Sequence, residues 1–159
     1  MYILGISAFY HDSAAALVID GEIIAACPEE RLSRKKRTRL FPHLAIEYCL
    51  SVAGCKVEDI DYIANSYNPG VHLEKFYPIF SKSRRFRADY LYSVPDHLAK
   101  MMNNKEVDWM SQSIQFKEAE MNIYYLNHHM CHAANGFYQS PFKKSAILTA
   151  DGRGETDTV

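Results

Sequence analysis

The sequence predicts an α/β domain with a mixed sheet, and three observations predict it. Met1 to Cys27 reads as strand, loop, strand, tight turn, strand. A helix with apolar positions at a period near 3.6 follows and leads into another short strand, which makes a βα crossover. A further strand–helix–strand alternation occupies Ile123 to Ala150.

Each element has a local reason. Tyr2 to Ser7 is apolar enough for a buried strand, and Ala14 to Ile19 is a second such run. Asp20-Gly21 is a hairpin signal, because a two-residue primed turn needs positive φ at both positions, and Glu22 to Cys27 is then the third strand. Pro28-Glu29-Glu30-Arg31 ends the sheet. Phe41-Pro42 opens a helix from His43 that Gly54 caps. Val57 to Ile60 leads into a strand over Asp61 to Ser66, and Asn68-Pro69-Gly70 breaks the chain. Residues 71–120 are polar, aromatic and methionine-bearing, and are expected to form a helical insertion. Ile123 to Leu126 is a short strand, His128 to Gln139 a helix, and Lys144 to Ala150 the next strand.

Bulk properties narrow the function. A chain of 159 residues, 48% hydrophobic and 23% charged, suffices for one globular domain with a real core. The net charge of −1 gives no global field for nucleic acid or membrane. No apolar run approaches the roughly 20 residues that span a bilayer. Met1 to Ile6 lacks a basic leader and a cleavage pattern and reads as a strand. None of Cys27, Cys49, Cys55 and Cys131 forms a Cys-x-x-Cys pair, so reduced thiols in a cytoplasmic protein are expected. Cys27 and Cys49 lie among apolar neighbours and read as small core residues, and Cys131 reads as a packing residue, with metal ligation as the less favoured alternative.

The chemistry concentrates in Asn127-His128-His129-Met130-Cys131-His132-Ala133-Ala134 and Asp151-Gly152-Arg153-Gly154-Glu155. Imidazoles four apart share a helical face, with Cβ atoms roughly 5–6 Å apart, so both can reach one ion. A lone histidine ordinarily caps a helix or bonds in the core. A His-x-x-x-His pair with Asp151 after an apolar stretch is instead an N/O ligand set for a divalent transition metal. No glutamate follows His128 in the manner of a zinc peptidase. His129 faces elsewhere and is a candidate substrate contact. Gly152 and Gly154 let the backbone approach an anion, although a hairpin turn has the same appearance. In the first loop, His11 is a candidate proton donor or anion contact, while Asp12 and Ser13 serve equally well as turn formers. The basic run from Arg31 to Arg39 could bind phosphate or an acidic partner, although such a run is ordinarily a solvated loop. Arg31, placed directly after Glu29-Glu30, is the member expected to be fixed and to bind substrate.

These motifs together resemble the O-carbamoyltransferase family of nodulation-factor and antibiotic biosynthesis. The resemblance rests on Gly5 to Ala15, Glu29-Glu30-Arg31, His128 to Ala134, Ser140-Pro141-Phe142 and Asp151-Gly152-x-Gly154-Glu155. It covers both ends of the chain and little of residues 71–120. It implies a ribonuclease-H-like half of an actin/Hsp70/sugar-kinase (ASKHA) fold. It also implies transfer of a carbamoyl group to the hydroxyl of a small-molecule acceptor. The donor is carbamoyladenylate, made from carbamoyl phosphate and ATP in a separate YrdC-like domain. By motif, His128, His132 and Asp151 take the ligand positions for iron or a similar divalent ion. His11 takes a catalytic or substrate-orienting place. Asp12, Ser13, Arg31, His129, Gly152 and Gly154 line the substrate and nucleotide site. Because family members are several times longer, the chain is expected to be a truncated N-terminal part, inactive without the remainder of its polypeptide. Two other readings carry their own discriminants. A small-molecule kinase of the same fold would prefer Mg²⁺ held by carboxylates and waters. A non-catalytic scaffold would lose folding, not turnover, when His132 is replaced.

Overall fold

The computed structural model describes residues 1–8, 12–67, 109–116 and 119–152. Its strands are β1 (Tyr2–Ser7), β2 (Ala14–Ile19), β3 (Glu22–Pro28), β4 (Tyr62–Asn65), β5 (Trp109–Phe116) and β6 (Ala119–Leu126). Its helices are α1 (Glu29–Ser33), α2 (His43–Ala53) and α3 (His128–Tyr138), with a 3-10 turn at Val57–Asp59. The six strands form one mixed sheet in the order β3-β2-β1-β4-β6-β5. The chain divides into two compact units, Met1–Asn65 with Ser111–Tyr124, and Ser66–Met110 with Tyr125–Val159.

In the first unit the hairpin predicted at Asp20-Gly21 forms. Both residues take positive φ, 51° and 89°, and set the pairing of Ile19 with Glu22. β1 pairs antiparallel with β2, from Tyr2 opposite Ile19 to Ser7 opposite Ala14, and parallel with β4. An irregularity between Leu17 and Val18 shifts the β2–β3 register. The period of two then sorts the side chains. Leu4, Ile6, Ala15, Leu17 and Ala25 are buried and join Ala45, Ile46, Cys49 and Leu50 of α2, with Ile60 and Met121, in one apolar core. Full burial of a side chain such as Leu17 contributes roughly 1.5–3 kcal/mol. Cys49 is a core residue as expected, and burial pushes its thiol pKa up. Cys27 is half-buried and packs against the same core.

α2 opens without a side-chain cap of its own, because its N-cap is Pro42. Glu29 supplies the cap from α1. Its buried carboxylate accepts the Ala45 N–H at 2.8 Å, satisfying one of the orphan donors of the first turn. The Glu29 N–H in turn donates to the Ser13 carbonyl at 2.9 Å. Ser13 is buried too, and its hydroxyl donates to the carbonyls of Thr38 (3.1 Å) and Leu40. At its other end α2 stops at Gly54, in the left-handed conformation at φ 66°. Arg34 and Arg37 also adopt positive φ, 59° and 53°, at about 1–2 kcal/mol each for a residue with a Cβ.

Four expectations change. Glu29–Ser33 is a short helix, not only the end of the sheet; Pro28 ahead of two acidic residues suits a helix start. Trp109–Phe116 and Ala119–Glu120 are strand, so the expected helical insertion does not extend to them, and residues 71–108 lie outside the described residues. β6 begins at Ala119, four residues before the predicted start at Ile123. The strand expected over Lys144 to Ala150 does not form, since no ladder partner accompanies it among the described residues. Ile147 and Leu148 there are 49% and 82% exposed.

Candidate metal centre

The centre lies within the second unit. Asn127 caps α3 by accepting the Met130 N–H at 3.0 Å, so the helix begins at His128. His128 and His132, one turn apart, project together with ring centroids 4.5 Å apart. His128 Nδ1 lies 3.1 Å from the Ser66 carbonyl oxygen. A carbonyl only accepts, so Nδ1 donates to Ser66 and Nε2 is the nitrogen turned toward Asp151 and His132.

That nitrogen meets two further possible ligand atoms. His128 Nε2 is 2.8 Å from Asp151 Oδ2 and 3.1 Å from His132 Nε2, and His132 Nε2 is 3.3 Å from the same Asp151 oxygen. Asp151 is fixed on its other side, where Oδ1 accepts the Gly152 N–H at 2.6 Å. That bond, and then His128, hold the Asp151 carboxyl below the usual carboxylate range. A proton on one ring relieves one contact of the three. A divalent ion relieves all of them, because metal–ligand bonds of about 2.0–2.2 Å set neighbouring ligand atoms roughly 3 Å apart. The donor set therefore fits a two-histidine, one-carboxylate arrangement that leaves further positions open. The exposures of His128, Asp151 and His132, 23%, 33% and 49%, leave the His132 side accessible to solvent.

The three ligand candidates read from sequence thus converge, and they are the one such group among the described residues. His129 does not join them. Its Nδ1 is 2.9 Å from Thr149 Oγ1, and its ring centre stands 6.3 Å from that of His128 and 6.4 Å from that of His132. The Gly152 amide is engaged by Asp151 and so is not turned toward an anion. Ser13 is buried in backbone bonding, Asp12 is exposed with its carbonyl 3.4 Å from the Ser7 hydroxyl, and Arg31 is exposed on α1 in the first unit. His11 and Gly154 lie outside the described residues. Two participants escaped the sequence reading. The Ser66 carbonyl carries no side-chain signal at all. Thr149 had one, its place two residues before Asp151 on the same stretch.

A family model described as the carbamoyltransferase N-terminus matches residues 2–159. An uncharacterized protein of Synechocystis sp. is 38% identical over 99% of this chain and 26% of its own length. The nodulation protein NolNO of Sinorhizobium fredii is 35% identical over 92% of this chain and 20% of its own length. An uncharacterized 19.2 kDa protein of Rhizobium etli is 47% identical over 36% of this chain and 34% of its own length. The chain thus spans about a quarter or less of the first two relatives.

Proposed function

The chain belongs to the carbamoyltransferase N-terminal family, and on that premise we propose that it is the metal-holding part of an O-carbamoyltransferase. The reaction proposed is acyl-like. The acceptor hydroxyl oxygen bonds to the carbamoyl carbon of carbamoyladenylate, the carbamoyl–phosphate bond breaks, and AMP leaves. Carbamoyl phosphate and ATP are the proposed sources of the adenylate, which is formed elsewhere in the longer polypeptide. The observation that carries this reading is the meeting of His128, His132 and Asp151, three possible ligand atoms with 2.8–3.3 Å between them.

In this proposal His128, His132 and Asp151 hold a divalent ion, iron or one like it. When bound, the ion supplies positive charge beside the adenylate phosphate and eases departure of AMP. The chain's own groups orient and restrain. Ser66 fixes the His128 ring, Gly152 fixes Asp151, and Thr149 fixes His129 where it can contact the acceptor. His11 is proposed to handle the proton of the acceptor hydroxyl. The sheet order, with two antiparallel pairings among β1–β3 and β4 parallel to β1, supports the ribonuclease-H-like, ASKHA-type reading. No helix among the described residues is long and apolar enough to cross a membrane, in keeping with a proposed cytoplasmic location.

The test uses the longer polypeptide with ATP, carbamoyl phosphate and a hydroxyl acceptor. His132→Ala is expected to abolish carbamoyl transfer and bound metal while thermal unfolding stays cooperative. Undiminished transfer by the metal-depleted variant would overturn the proposal. The 159-residue chain alone is expected to bind metal and to transfer nothing.

A further inference from the structure

Charge is segregated in this chain. Six of its 18 lysines and arginines, and none of its 19 carboxylates, fall within residues 31–39. That stretch carries +6, and the rest of the chain, with 12 cations against 19 anions, carries −7. Arg31, Arg34, Lys35, Lys36, Arg37 and Arg39 are all exposed, and none forms an ion pair among the described residues. The two preceding carboxylates offset only part of that charge. Glu29 is turned inward onto the Ala45 N–H, and Glu30 Oε2 accepts the Arg37 N–H at 3.1 Å.

The stretch is also held in one shape. Arg34 N–H donates to the Glu30 carbonyl at 3.0 Å, and Ser13 ties Thr38 and Leu40 through its amide and hydroxyl. Both left-handed positions are occupied by arginine, where a merely solvated linker would carry glycine or asparagine. Mutually repelling cations and unfavourable φ angles, kept in place by buried anchors, are what a site for a multiply charged anion requires.

We propose that residues 31–39 form a preorganised site for a polyphosphate chain, inorganic or borne by a nucleotide, built on residues other than the candidate metal ligands and independent of the carbamoyl-transfer reading. Four consecutive cations, Arg34-Lys35-Lys36-Arg37, match the several adjacent negative charges of a pyrophosphate unit better than those of one phosphate. A nucleic acid fits less well. The basic stretch is nine residues long, contains no aromatic side chain on which a base could stack, and belongs to a chain that is otherwise acidic.

The experiment is a calorimetric titration of the full chain, freed of metal by chelation, with pyrophosphate at about 0.1 M salt. Two double variants probe the site. Lys35→Ala with Lys36→Ala leaves the left-handed positions untouched, and Arg34→Asn with Arg37→Asn keeps residues that tolerate them. Binding is expected, and each double variant should weaken it about tenfold or more with thermal unfolding unchanged. ATP binding as tightly as pyrophosphate would assign recognition to the phosphates alone; tighter binding would add the nucleoside, and either supports the site. No binding, wild-type affinity in both variants, or binding of a single-stranded RNA oligonucleotide but not of pyrophosphate would overturn it. Loss of pyrophosphate binding in His132→Ala would also overturn it, by moving the ligand to the metal centre without touching the carbamoyl-transfer proposal.

Discussion

Glu29 in the first unit and Asp151 in the second are both carboxylates engaged with nitrogen, and they work in opposite ways. Around Glu29 each contact joins a donor to an acceptor: the Ala45 N–H to its carboxylate, its own N–H to Ser13, the Ser13 hydroxyl to the backbone. Those bonds close within the protein and leave nothing for a ligand. Around Asp151 the Gly152 bond closes in the same way, but the other oxygen faces Nε2 of two rings, one of which is held from its far side by the Ser66 carbonyl at Nδ1. Three possible ligand atoms brought within reach of one ion distinguish this arrangement from the closed network around Glu29.

The largest expected effect breaks the second arrangement alone. His128→Ala or His132→Ala should lower affinity for Fe²⁺ or Zn²⁺ by at least about 100-fold, because losing a ligand costs more than losing an outer partner. Equilibrium dialysis measures it, and a loss below tenfold would mean that the rings are not ligands. Asp151→Asn keeps the shape and removes the charge; it should cost about 10–100-fold in metal affinity with only a slight loss of stability at neutral pH. The first arrangement should respond the other way. Glu29→Gln is expected to lower stability by about 1–3 kcal/mol in urea and to leave metal affinity unaltered. If it weakened metal binding as much as Asp151→Asn does, the contrast between the two carboxylates would fail. Gly21→Ala should destabilise by about 1 kcal/mol through its positive φ, again without effect on metal. The smallest effect concerns pH. The Asp151 carboxyl is held low, so its contribution to stability is present above the unfolded value and is lost only as pH falls through the lower folded value. In the metal-free chain, Asp151→Asn should therefore flatten a slight acid destabilisation confined to pH below about 4.

The legible parts of the molecule were those governed by local chemistry. Asp20-Gly21, Gly54 and the period-two runs through Leu4 and Leu17 need only neighbouring residues to be understood, and they formed as read. The His128–His132 spacing is local too, and its union with Asp151 followed from ligand chemistry. What depended on distant partners was misread or unseen. Ser145 to Ala150 has the composition of a strand, but composition cannot provide the neighbour that a ladder needs. Trp109–Phe116 is a strand despite its polar content, since pairing within the sheet outweighs weak propensity. Glu29 looked like a surface charge at a sheet end, yet it is buried as the cap of a helix that begins 14 residues later at His43.

The hold on His128 comes from the main chain at Ser66, and this changes what evolution can alter. Replacing the Ser66 side chain leaves the carbonyl where it is, so the choice of outward-facing nitrogen is insulated from ordinary substitution there. Only rerouting the chain after β4 would turn the ring around, whereas Asp151 and His132 can each be lost in one codon change.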